Sequence, residues 1–371
     1  MISHMTNRCL KLCRPFVAVL LISFASDAFA CTTAVISARA SANGRPMLWK
    51  QRDSGVKYNY VDHFVATDST FAFTAVVNTA DTLRQSVWSG ANSEGFAIMN
   101  SMSYGLSPIV TEHRPFEGII MKRALESCRT VDDFEACLKS LPKPNGLETN
   151  FGVIDAYGGA AYFETHDLGY TRFDAGDVPE GFLVRSNYSV TGREGEGKGY
   201  DRYEIAFDSM QAEGSGLTAE WIIDNLGRNP VISRKTTISS TVIEGVADGE
   251  PKNSSVIWTA PGYTPASYAI ATWVAAADRI AWPLKSAERG SALNELARDL
   301  QLSHFREGPD AAIMEKVREA EKAEFSRGRR LDALVRSGKV RDSDFAAYNR
   351  KALQAFKVFE THVQKTTTVG R

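Results

Sequence analysis

Blocks of short strands alternate with pairs of helices, and the chain closes on three long charged helices. That order constrains the fold more than any other feature. Thr32 to Ala38, Pro46 to Arg52, Phe71 to Val77, Ser86 to Gly90 and Phe96 to Asn100 read as strands. Two helices follow. Phe116 to Ser127 has apolar residues at 116, 119, 120, 124 and 125, and Val131 to Leu141 starts after a Thr130 N-cap and stops before Pro142. "NFGVIDAYGGAAYFET" reads as a hairpin around Gly158-Gly159, and Gly181 to Arg185 as a further strand. Arg202 to Gln211 and Ala219 to Leu226 read as helices, and Thr236 to Ile243, Ser255 to Ala260 and Ser267 to Ala275 as the last strands. Beyond Pro283 come Ala292 to Leu302, Ala311 to Arg336 and Asp344 to Lys365, long, charged and helical. This is the pattern of an α+β fold in which helices cover antiparallel sheets.

The chain opens on what reads as a secretory signal. Arg8, Lys11 and Arg14 precede a short apolar core, Phe16 to Ala25, which is too short for a permanent membrane helix. Ala28-Phe29-Ala30 has the small-x-small pattern of a signal peptidase site, so cleavage after Ala30 would leave Cys31 as the first residue. Removing 30 of the 371 residues leaves 341, enough for one large domain or two modest ones. It also removes three basic residues and one acidic one, leaving 40 basic against 43 acidic. That balance offers no basic excess for nucleic acid. No later segment is apolar enough to cross a membrane, so an exported product, periplasmic or secreted, is expected. The expected boundaries are a signal over 1–30, a catalytic domain over 31–285 and a helical extension over 286–371 packed on it.

Chemistry is sparsely marked. There is no glycine-rich phosphate loop, no HExxH and no paired CxxC, so neither a cofactor nor a metal is expected. His63, His113, His166, His304 and His362 are scattered, and nothing places one beside a cysteine. Cys128 and Cys137 sit at the ends of the paired helices, open either to bridging or to life as buried thiols. Cys31 is the odd one out.

A cysteine at the first position carries its own base. The thiolate is the nucleophile, and a free α-amine, with a pKa of about 8, can take the thiol proton near neutral pH. Signal cleavage would then be the activating step, because an amide nitrogen is not basic. The β-branched Thr32 and Thr33 favour a strand, a rigid mount for the nucleophile. Asn43-Gly44 is a strong signal for a two-residue type I′ turn into the return strand. Such a turn would set Asp53 opposite Ala34, at the right end of the hairpin but on the wrong face for Cys31; a bulge or longer turn would be needed to bring them together.

With these residues in view, the chain resembles the cysteine branch of the N-terminal-nucleophile (Ntn) hydrolases, which includes choloylglycine (bile salt) hydrolases, penicillin V acylases, acid ceramidase and isopenicillin-N acyltransferases. The resemblance runs from Cys31 to about Arg202. "CTTAVIS" matches the opening strand. "KQRD" matches the return strand, with Asp53 in the place of the acid that orients the amine and Lys50 where the family has arginine. Lys50 lacks the bidentate fork of arginine, and Arg52 is a second candidate for that role. "GANSEGFAIMN" matches a family turn and strand and puts Asn100 near the oxyanion; "LVRSNY" does the same for Asn187. "GYDRYEIA" aligns Arg202 with the family's second arginine. The resemblance implies an αββα sandwich of two antiparallel sheets between helical layers, and hydrolysis of a linear, non-peptide N-acyl amide through a thioester. Aromatic and Met residues around 99–104, with the loop from Gly105 to Pro115, are candidates for an acyl pocket.

Two other functions fit the same residues. One is an acyltransferase of the same fold, using an acyl-CoA or amine partner. The other is a lipoprotein anchored through Cys31, although Phe29 stands where that cleavage box places a small residue. The apolar stripe Phe345, Leu353, Phe356, Phe359 and Val363 could pack on the chain's own sheet or on a second copy.

Overall fold

Thirteen strands among the described residues sort into two antiparallel sheets, and the chain shuttles between them. The computed structural model describes residues 31–106 and 116–369. The predicted signal and most of the predicted pocket loop lie outside the described residues. In chain order the strands are β1 (Thr32–Ile36), β2 (Met47–Asp53), β3 (Asn59–Phe64), β4 (Phe73–Asn78), β5 (Ser89–Asn92), β6 (Ala97–Met102), β7 (Thr149–Ile154), β8 (Ala160–His166), β9 (Gly169–Asp174), β10 (Phe182–Arg185), β11 (Thr237–Glu244), β12 (Val256–Pro261) and β13 (Ile270–Trp273). One sheet runs β10-β1-β2-β11-β12-β13 and the other β3 to β9 in sequence order. The helices are α1 (Glu117–Ser127), α2 (Val131–Ser140), α3 (Tyr200–Glu213), α4 (Ala219–Trp221, continued by a π turn over Ile222–Leu226), α5 (Ala292–His304), α6 (Ala311–Arg336) and α7 (Asp342–Val369).

The period-two pattern explains the layers. Side chains of a strand alternate between faces, and here both faces of both sheets are covered. Val35 and Leu48 on β1 and β2 meet Ala97, Met99 and Tyr162 of the other sheet, forming a core between the sheets. Gly152 marks their close approach, since a Cβ there would lie 2.8 Å from Val35 Cγ2 of the six-stranded sheet. Beyond the seven-stranded sheet, α1 and α2 bury Leu125 and Phe134 against Phe151 and Phe163. Beyond the six-stranded sheet, Trp49, Trp258 and Ile270 meet α3 to α7. The result is the expected α+β, αββα arrangement. Thr130 caps α2 with a capping box, closed by Asp133.

The C-terminal helices supply the outer layer of the six-stranded sheet. Phe345, Phe356, Phe359 and Val363 are buried in the core that sheet forms. Ion pairs fasten the layer: the half-buried Arg329 bonds the buried Glu244 on β11, and the buried Arg228 forks onto Glu321 at 2.7 and 2.9 Å. Cys128 and Cys137 are free thiols, with Cys128 pushed up to about 12 by burial.

The connection between β1 and β2 differs from the expected two-residue turn. Ile36 pairs with Met47, so ten residues, 37–46, link the strands. They include a 3-10 turn at Ala38–Ala40, and the only positive φ in the segment belongs to Gly44. A type I′ turn needs positive φ at both central residues. Ser41 Oγ and Asn43 Oδ1 instead both accept from the Arg45 amide, which turns the chain locally and leaves Asn43 at negative φ. Two further strands, β3 and β9, were not marked by the pattern. They are the two edges of the seven-stranded sheet, and their half-exposed side chains blur the alternation.

Candidate functional site

The ladder between β1 and β2 places the site residues. Thr32 pairs with Gln51 and Thr33 with Lys50, so Cys31 falls opposite Arg52. Directly opposed residues share a face of the sheet. Cys31, Lys50 and Arg52 therefore point inward, toward the other sheet, while Thr32 and Asp53 point outward, toward α3. Cys31 is 5% exposed, and its Sγ lies 3.9 Å from the backbone carbonyl of Asp53.

On the outward side, Asp53 lies opposite Thr237 of β11, whose hydroxyl donates to Asp53 Oδ1 at 2.6 Å. Among the described residues the other carboxylate oxygen, Oδ2, is buried without a hydrogen-bond partner. Burial raises the Asp53 pKa to about 6, with Thr237 and the charge of Arg202 pulling the other way. Arg202, on the first turn of α3, is 1% exposed and reaches three acceptors: the Cys31 carbonyl at 2.6 Å, Thr32 Oγ1 at 2.7 Å and Asn187 Oδ1 at 2.8 Å. Burial lowers its pKa, offset by Asp53 and Cys31. Gly199 makes room for the guanidinium. Its φ is +85°, and a Cβ there would lie 2.1 Å from Arg202 Nη2.

Arg202 also fixes the orientation of Asn187. A guanidinium only donates, so the amide must present its oxygen to Arg202 and its Nδ2 away from it. Nδ2 donates to the Met102 carbonyl at 3.2 Å, and its second hydrogen has no acceptor among the described residues. Asn187 follows β10, and a backbone bridge to Lys198 holds it there.

On the inward side, Lys50 Nζ donates to Asn100 Oδ1 at 2.6 Å and to the Trp88 carbonyl at 2.9 Å. Asn100 thus offers its oxygen to the lysine. Arg52 donates to Asn78 Oδ1 at 2.8 Å and lies over the Trp88 ring at 4.3 Å. Burial lowers Lys50 to about 7 and Arg52 to about 9, each opposed by the charge of Cys31. Tyr104, half-buried, is raised by burial first and then by Cys31 and two glutamates.

The six residues named from the sequence, Cys31, Lys50, Asp53, Asn100, Asn187 and Arg202, are gathered around the first turn of chain at Cys31. Three partners went unmarked. Thr237 comes from a strand far along the chain. Trp88 precedes β5 and marks itself only as an aromatic before a strand. Thr32 stood in view beside Cys31, but as a strand former rather than an arginine acceptor.

No known family model matches the chain, and no curated protein matches it. Solved structures do. The chain is similar to a Caenorhabditis elegans ortholog of N-acylethanolamine-hydrolyzing acid amidase, at 16% identity and a TM-score of 0.45, over 58% of this chain and 92% of that one. It is similar to a single-residue variant of conjugated bile acid hydrolase from Clostridium perfringens, at 11% identity and a TM-score of 0.44, over 66% and 93%. It is similar also to penicillin V acylase from Agrobacterium tumefaciens, at 14% identity and a TM-score of 0.41, over 65% and 86%.

Proposed function

We propose that the chain is an exported Ntn-type amidohydrolase that cleaves a linear N-acyl amide through Cys31. One observation carries the reading: a single buried guanidinium, Arg202, holds both the backbone of Cys31 and the oxygen of the Asn187 amide. Nucleophile and oxyanion donor are thereby set relative to each other before substrate arrives, the preorganisation on which electrostatic catalysis depends.

The steps follow from the placement. Removal of residues 1–30 frees the α-amine of Cys31. Asp53, with its unpartnered Oδ2, holds that amine. The amine takes the proton from Sγ as the sulfur bonds to the amide carbon, and the carbonyl oxygen becomes an oxyanion against the remaining Nδ2 hydrogen of Asn187. The ammonium then protonates the leaving nitrogen, the C–N bond breaks and the amine product departs, leaving a thioester. Water, giving its proton to the same amine, attacks the thioester and releases the acid. Lys50 and Arg52 supply positive charge on the side of the sulfur.

The test uses three chains: one beginning at Cys31, the same chain retaining Ala30, and Cys31→Ser. Each is incubated with a panel of N-acyl amides and followed by product release and intact mass. The first should hydrolyse at least one amide, pass through a mass increase equal to the acyl group, and react fastest with iodoacetamide. Equal activity in the chain retaining Ala30 would overturn the role of the amine, and full activity in Cys31→Ser would overturn that of the thiol.

A further inference from the structure

Glu164 is a buried carboxylate with no cation beside it. It lies on β8, 0% exposed, and among the described residues no Lys, Arg or His stands within ion-pair distance. It points between the sheets, because Tyr162, two residues earlier on the same strand, lies in the core there. A buried charge is costly unless hydrogen bonds replace its water. The buried acids Glu244 and Glu321 are met by arginines. Glu164 is met by a loop. Oε1 accepts from the Val190 amide at 2.5 Å, and Oε2 from the Thr191 amide at 3.0 Å and the Thr191 hydroxyl at 2.5 Å. Hydrogen bonds to an ionised acceptor are roughly twice as strong as neutral ones.

The loop so held begins at the oxyanion donor: Val190 stands three residues after Asn187. Asn187 follows β10 of the six-stranded sheet, yet its Nδ2 bonds the carbonyl of Met102 at the end of β6, in the other sheet. That contact depends on how residues 187–193 lie against 102–105. The Ser189 amide donates to the Tyr104 carbonyl and the Arg193 amide to the Gly105 carbonyl, both at 3.0 Å. Gly192 lets the segments touch, since a Cβ there would lie 2.6 Å from the Gly105 oxygen. These bonds join one irregular segment to another, and such segments are the mobile part of a scaffold. Glu164 differs in its mount. β8 is two strands from β6 in the same sheet, so the carboxylate ties the loop of Asn187 to the rigid layer that carries Met102.

Resting on the hydrolase reading above, we infer that Glu164, with Thr191, is a positioning residue that fixes the loop aiming the Asn187 amide at the oxyanion. Arg202 sets Asn187 relative to Cys31, and Glu164 sets it relative to Met102. Glu164 acts through Asn187 and touches no reacting atom.

The experiment uses the chain beginning at Cys31 and an amide it cleaves. Glu164→Gln keeps the size and removes the charge. Its amide offers one oxygen, so its NH2 must face the N–H of Val190 or Thr191. kcat should fall about 10- to 100-fold, the cost of a small misplacement, with KM changed by less than about threefold. Thr191→Val should lower kcat about fivefold, the worth of one hydrogen bond, and Thr191→Ser, which keeps the hydroxyl, should recover most of that. The deciding arm is a cycle with Asn187→Ala, in which Glu164→Gln should cost less than about threefold more. An equal loss with and without Asn187, a wild-type kcat in Glu164→Gln, or a change confined to KM would overturn the inference while the hydrolase reading stands. If Glu164→Gln does not fold, the same cycle is run with Thr191→Val and judged in the same way. If no chain cleaves any amide, the hydrolase reading falls and NMR of asparagine-labelled protein tests the clamp by itself. The side-chain amide signals missing from Asn187→Ala should shift in Glu164→Gln and Thr191→Val; signals that stay in place would overturn it.

Discussion

Asp53 makes the state of the Cys31 nitrogen readable in stability. With Cys31 in peptide linkage, burial holds the Asp53 pKa at about 6 instead of 3.8. Each unit is worth about 1.4 kcal/mol, so the shift is worth about 3 kcal/mol. The sign follows from the direction. An acid whose folded pKa is raised binds its proton more tightly in the folded state. Its contribution is fully present below pH 3.8 and is lost as pH rises through about 6. A chain retaining Ala30 should therefore lose about 2.5 kcal/mol between pH 4 and pH 7.5 relative to the same chain with Asp53→Asn. The asparagine has a fixed cost of its own, an unpaired amide, but that cost does not vary with pH and drops out of the comparison. Other titrating groups, such as Asp332, raised to about 7, cancel between the pair.

A chain beginning at Cys31 should behave otherwise. Its α-ammonium, meeting Oδ2, favours the charged carboxylate and draws the pKa of Asp53 back down. The pH-dependent loss relative to Asp53→Asn should then shrink or change sign. Urea unfolding of all four proteins, at half-unit steps from pH 4 to 7.5, measures this. Parallel curves for the blocked chain and its Asp53→Asn variant would refute the desolvated carboxylate. The same loss in free and blocked chains would refute contact between the amine and Asp53.

Three more substitutions probe single contacts. Asn187→Ala should lower kcat by about 10²- to 10³-fold with little change in KM, as expected when one oxyanion donor is removed, and steady-state kinetics on any cleaved amide would check it. Gly199→Ala should push Arg202 out of place, because a Cβ there lies 2.1 Å from Nη2; kcat/KM should fall about 100-fold, and a wild-type value would show that Arg202 does not set the site. Gly328→Ala should overpack α6 against Trp258, where a Cβ would lie 2.4 Å from the ring. About 1–3 kcal/mol should be lost in urea unfolding, with kcat/KM of the folded protein unchanged.

Much of the site was legible because its residues lie close together in the chain or beside strong local signals. Cys31 follows a cleavage pattern, Lys50 and Asp53 share one strand, and Asn187 lies just past the end of another. The α6 boundaries, Ala311–Arg336, matched the periodicity because a long helix repeats its pattern many times. What escaped the sequence depends on pairing between distant segments. Thr237 meets Asp53 only because β11 inserts beside β2, 184 residues along the chain. The edge strands β3 and β9 have one neighbour each, so fewer of their positions are buried and no clean alternation survives.

The turn between β1 and β2 shows how a wrong local reading can leave the right chemical geometry. A two-residue turn at Asn43-Gly44 would pair Asp53 with Ala34; the ten-residue connection slides the register so that Cys31 meets Arg52. The slide is four residues, an even number, so the faces do not change. Asp53 still points away from the thiol, as the short turn implied, and the expected need for a change of face disappears. The carboxylate has no path to the sulfur through the sheet. It lies instead on the side of Thr237 and Arg202, next to the backbone where the chain would begin. An acid so placed can hold an amine but cannot act as the base for the thiol. The face opposite, where the sulfur does point, holds Lys50 and Arg52. On the proposed mechanism the strand's period of two thus divides the labour: one face would orient the α-amine, the other would stabilise negative charge, and Cys31 joins them because its nitrogen and its sulfur leave the same Cα.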